Sequence, residues 1–111
     1  MNFFKNTLHI FLVLLLCVLS VGLVTGCATS NNLYGQGKQH FLLADYHSAY
    51  KELYPVALAG NADAQYAVGY MQYYGLGTLR NRISGMQWME KAAQQGNKIA
   101  QQAIEQIKNS E

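Results

Sequence analysis

Few side chains in this chain are of the kind that carry out chemistry. Histidines stand at positions 9, 40 and 47, and cysteines at 17 and 27. His40 and His47 lie seven apart with only Asp45 near them, a set too small for a metal site. No serine has a base beside it, and Glu52 and Glu90 lack the paired, buried setting that acid–base catalysis needs. The "GLG" at 75–77 reads as a turn, not a phosphate-binding loop. Arg80 and Arg82 in "TLRNR" could meet a phosphate or carboxylate, but a solvated loop accounts for them more simply. The expectation is a chain that is not an enzyme, with no catalytic residue and no metal. One residue stands apart. Cys27 sits in "LVTGCATSNN", where apolar sequence stops and polar sequence starts.

The elements around that seam give it meaning. The chain has 111 residues, a net charge of +2 and only 13% charged residues, and every acidic residue lies after position 44. Residues 1–26 carry a single charge, Lys5, followed by the apolar run "IFLVLLLCVLSVGLV". That run is shorter than the roughly 20 residues a spanning helix wants. A basic start and small residues at its end fit a secretory signal peptide; the competing reading is a permanent N-terminal anchor helix. The residues Val24, Thr25, Gly26 and Cys27 resemble the lipobox of bacterial lipoproteins.

That resemblance implies cleavage between Gly26 and Cys27, diacylglycerol in thioether linkage on the Cys27 sulfur, and acylation of the new amino terminus. Two or more acyl chains anchor stably where one does not. Cys17 would leave with the signal, so the mature chain would hold neither a free thiol nor a disulfide. The only cofactor-like group would be the covalent lipid. Ala28, rather than Asp, implies passage to the outer membrane on its periplasmic side, with the inner membrane and the cell surface as alternatives. Residues 27–36 then read as the lipidated cysteine and a flexible tether, "ATSNNLYGQG" spanning about 15–20 Å as a coil.

From residue 37 to 111 the pattern is helical. No segment alternates apolar and polar residues over strand length, and only Pro55 interrupts the helix formers. Shifting the chain by 36 residues places Ser48 on Ser84, Ala57 on Ala93, Gly60 on Gly96, Asn61 on Asn97, Ala64 on Ala100, Gln65 on Gln101 and Ala67 on Ala103. The repeat has a physical reading. Gly60 and Gly96 end helices, Asn61 and Asn97 cap the next ones, and Asp45 and Asn81 cap two more. The expected helices are about 37–44, 46–59, 62–74, 83–95 and 98–108, with a longer loop at 75–82.

Residues 62–97 resemble a Sel-one-like repeat, a relative of the tetratricopeptide repeat, through Ala64, Gln65, Val68, Gly69, Gly75, Gly77, Trp88, Lys91, Ala92, Ala93 and Gly96. Residues 44–61 resemble the second half of a preceding repeat, and 98–108 the first helix of a following one. The implied fold is all-α, a short solenoid of antiparallel helix hairpins with about two repeats. Gln72 departs from the family's usual aromatic, with Tyr73 a possible substitute. Gly85 replaces a helix-packing Ala, at a cost of about 1 kcal/mol unless it admits close approach of Val68 or Gly69. Pro55 is expected to kink or restart its helix. Ile99, Ala100, Ala103, Ile104 and Ile107 form one stripe on the last helix, marking it as a cap over a thin core.

Tyr66, Tyr70, Tyr73 and Tyr74 fall at helical spacing on one helix, and Tyr46, Tyr50 and Tyr54 on another. In the repeat family the first helix of each hairpin lines the concave face, and tyrosine suits an interface. Tyr66, Tyr70, Tyr73, Tyr74 and Trp88 are therefore the candidate binding surface, with Tyr70, Tyr73 and Tyr74 expected to be exposed. Beyond residue 26 there are seven basic and six acidic residues, so nucleic acid is not indicated. The expected function is a membrane-anchored adaptor that binds an envelope protein, with possible self-association. The alternatives are an envelope glycan or peptidoglycan binder and, less well supported, a cell-wall hydrolase.

Overall fold

A computed structural model describes residues 2–21 and 25–111, and side chains for residues 2–14 and 31–111. Six helices make up the described residues, which contain no strand: α1 (Asn2–Val21), α2 (Thr25–Leu42), α3 (Tyr46–Leu58), α4 (Ala62–Tyr74), α5 (Arg82–Gln94) and α6 (Lys98–Ser110). They fall into two compact units, Met1–Asn31 and Asn32–Glu111. No helix of the described residues is long and apolar enough to cross a membrane. Of the lipobox, Val24 and the side chains of Thr25 and Cys27 lie outside the described residues.

α3, α4, α5 and α6 each start where a side chain replaces a missing backbone acceptor. Asp45, Asn61, Asn81 and Asn97 accept from the backbone N–H three residues on, at 3.4, 2.9, 3.0 and 2.8 Å. This bond satisfies one of the amides that the first turn leaves open. Gly60 and Gly96 close the preceding helices with φ of 103° and 89°, a region that L side chains rarely adopt. α3 runs through Pro55 without ending. Pro55 lies within its last four residues, so little helix is left to disrupt.

Two small cores hold the hairpins together. Ala49, Leu53, Val56 and Ala57 of α3 pack on Ala64, Ala67, Val68 and Met71 of α4. Tyr73, Met89 and Ile107 join α4, α5 and α6 in a second cluster. Between α4 and α5 the backbones nearly touch. A Cβ on Gly69 would stand 2.7 Å from the Gly85 carbonyl, and a Cβ on Gly85 2.7 Å from the Gly69 carbonyl. Gly85 thus costs helix propensity but permits the crossing, the compensation that its placement in the sequence required.

Polar side chains stitch the same joints. Gln65 is buried, donates to the Ala57 carbonyl at 3.2 Å and accepts from Gln95 at 2.7 Å. Gln101 repeats the first bond, to the Ala93 carbonyl at 3.0 Å. Gln72, the departure from the family pattern, bridges three helices: its amide donates to the Tyr50 hydroxyl at 2.8 Å and accepts from Ser84 Oγ at 2.7 Å. Tyr73, not Gln72, supplies the buried aromatic.

The tether at 27–36 is corrected over its last residues. α2 continues the helix through this stretch, and Leu33 and Tyr34 pack against the first core together with Phe41. Gly37 is buried against Leu53 and Glu52 of α3, where a Cβ would lie 2.6 Å from Leu53 Cγ. The sequence reads as linker because its glycines and asparagines are weak helix formers. Docking on α3 and α4 overrides that preference.

Candidate functional site

The first helices of successive hairpins, α2, α4 and α6, share one face, and a groove of about 200 Å³ opens on it. α2 contributes Tyr34, Lys38, Phe41 and Leu42. α4 contributes Asp63, Tyr66 and Ala67, and the start of α6 adds Asn97 and Ile99. Leu42 and Ile99 line this groove yet leave 74% and 58% of their surface to solvent. Exposed aliphatic side chains around a largely apolar depression mark a surface suited to an apolar contact.

A polar tie crosses one end of the groove. Asp63 accepts from the Tyr34 hydroxyl at 3.0 Å and from the Asn97 amide at 2.6 Å, so one carboxylate links α2, α4 and the cap of α6. Burial raises the Tyr34 phenol above its ordinary value of 10.0, and the bond to Asp63 and that residue's charge push the same way. Burial also raises Tyr66, with Tyr70 and Tyr74 adding to the effect. Both phenols therefore stay neutral across the physiological range.

Beyond Tyr66 the face continues as an aromatic row. The Tyr66, Tyr70 and Tyr74 rings follow one another at 6.0 and 4.8 Å, and Phe41 of α2 meets Tyr70 edge-on at 6.0 Å. Tyr66, Tyr70 and Tyr74 border a second depression of about 300 Å³ against Ala103, Gln106 and Ile107 of α6. Tyr74 is 47% exposed, while Tyr66 and Tyr70 are half-buried. Tyr73 is corrected: only 4% of it is exposed, because it points into the second core, with the Arg82 guanidinium over its ring at 4.9 Å.

Trp88 does not belong to this face. It packs against the first core from α5, edge-on to Tyr54 at 6.1 Å, and Tyr54 stacks on Tyr50 at 5.5 Å. Lys91 Nζ lies over the Trp88 ring at 4.6 Å, which occupies a face that a sugar would need.

His40, Glu52 and Ser84 are engaged in structure. His40 Nδ1 meets Glu52 Oε2 at 2.7 Å, linking α2 to α3, so its partner is Glu52 and not Asp45. The Ser84 hydroxyl donates to Gln72, and the Ser48 backbone N–H donates to the Asp45 cap. Among the described residues no three His, Cys, Asp or Glu side chains gather into a possible metal site. The groove residues Tyr34, Lys38 and Leu42 escaped the sequence reading, and Ile99, read there as part of the packed stripe of the last helix, is 58% exposed.

The family model of the Sel1 repeat matches residues 62–97, the span from α4 through the 75–81 loop and α5 to the cap of α6. Comparison with curated proteins and with solved structures gives no match. Sel1 repeats generally mediate protein–protein interaction. Residues 62–97 thus carry a Sel1 repeat, set within an all-α architecture of helix hairpins.

Proposed function

We propose that this chain is a lipid-anchored adaptor of the bacterial envelope, tethered through Cys27 and recruiting a protein partner in the groove between α2, α4 and α6. The observation that carries the reading is the pairing of Leu42 and Ile99, exposed aliphatics that line one apolar depression with Tyr66. Binding would remove both from water at no cost in existing core contacts. The lipobox-like Val24-Thr25-Gly26-Cys27 supports the anchor, and Ala28 supports an outer-membrane destination.

A photo-crosslinking residue at position 66, incorporated in cells, tests the groove. The reading expects a discrete protein adduct that disappears in Leu42→Asp and Ile99→Asp, which replace exposed side chains, while circular dichroism stays that of the parent. Adducts unchanged in both variants would overturn it. Cys27→Ser tests the anchor separately: the substituted chain should lose incorporated palmitate and leave the membrane fraction. A variant that still carries acyl groups would remove the lipid assignment.

A further inference from the structure

The groove owes one wall to a helix that holds on weakly. Tyr34, Lys38, Phe41 and Leu42 all come from α2. Of the described α2 residues only Gly37 is buried, and it has no side chain to bury. α4, by contrast, buries seven residues. The α2 sequence is also a poor helix former, with Asn32, Gly35 and Gly37 in the part that docks. Its anchors are the half-buried Leu33, Tyr34 and Phe41. Among its described side chains the polar ties are two: Tyr34 to Asp63, which is exposed, and His40 to Glu52, which is only partly covered. Neither kind of tie contributes much at a surface.

The α3–α6 portion does not depend on α2 in the same way. Its cores are built from residues of α3, α4, α5 and α6, with α2 side chains packed on the outside. A segment with few buried contacts and weak intrinsic helicity opens at lower free energy than the core it covers.

We propose that the Asn32–Leu42 segment of α2 is a detachable wall, and that its docking on α3 and α4 switches the groove on. With α2 released, Phe41, Leu42, Tyr34 and Lys38 leave the groove, and Asp63 keeps only Asn97. Any ligand that needs both walls then draws α2 down, because it binds the docked state alone. The effect on binding rests on the adaptor reading above; the docking equilibrium does not.

Hydrogen exchange on the full chain in detergent micelles, read by mass spectrometry, tests it. Amides of residues 33–42 should exchange roughly tenfold or more faster than those of α4 and α5. Gly37→Val, whose Cβ would run into Leu53 Cγ, should strip the remaining protection from 33–42 while α4 and α5 change by less than about twofold. Gly35→Ala, with nothing within 4 Å of the new Cβ, should slow exchange of the same segment. Exchange of α2 in step with α4 and α5, or loss of protection throughout the unit in Gly37→Val, would overturn the proposal. If both variants shift α2 as expected while the adduct at position 66 stays constant, the detachable wall stands and the adaptor groove falls.

Discussion

Gly69 of α4 and Gly85 of α5 face each other so closely that a methyl group on either would lie 2.7 Å from the other's carbonyl oxygen. Neither helix can retreat alone, since Tyr73 and Met89 are packed into the core beside this crossing. Gly69→Ala and Gly85→Ala should therefore each destabilise the repeat unit by about 1–3 kcal/mol, the usual cost of overpacking. For a unit of this size that is a fall of roughly 5–20 °C in thermal midpoint by circular dichroism. An unchanged midpoint would mean that the two helices separate freely.

Gln72 satisfies the Tyr50 and Ser84 hydroxyls at once. Gln72→Ala should cost about 1–2 kcal/mol in urea unfolding, the sum of two modest hydrogen bonds. A double-mutant cycle with Ser84→Ala should return a coupling of about 0.5–1.5 kcal/mol. Strict additivity would show that the Ser84–Gln72 bond contributes nothing.

Asp45 is held below its ordinary value of 3.8, first by the side-chain and backbone bonds to Ser48. A lowered folded value means that the charged cap stabilises above 3.8 and that this contribution fades as pH falls through the folded value. Asp45→Asn keeps a capping side chain without the titration. The variant should melt near the parent at neutral pH and lose less stability than the parent on acidification, as followed by thermal melts across pH.

Tyr34 and Tyr66 are shifted in the opposite sense, above 10.0. Their phenols keep protons that the unfolded chain releases, so stability is complete below pH 10 and declines as pH rises past it. Ultraviolet titration should show late-ionising tyrosines in the folded protein, one fewer in Tyr34→Phe and one fewer in Tyr66→Phe. Full ionisation of every tyrosine in a single step at the ordinary value would contradict the burial seen here.

The helices from α3 onward were legible because each rests on local chemistry: Asp45, Asn61, Asn81 and Asn97 open them, and Gly60 and Gly96 close two of them. What stayed hidden depended on distant partners. The docked part of α2 has the composition of a linker, and only contact with Leu53 gives Gly37 its purpose. Ala44 takes the left-handed turn after α2 with φ of 61°, a place where glycine would have signalled the end of the helix. Tyr73 and Tyr74 are neighbours in sequence, yet one faces the core and the other water. Helical spacing groups such residues but does not by itself say which side the next helix will cover.

The bond from Gln65 to the Ala57 carbonyl returns 36 residues later as Gln101 to Ala93, with the same partners at the same joint. Each joint is thus closed from within by a glutamine reaching back eight residues, so the same lock can recur wherever the 36-residue unit does.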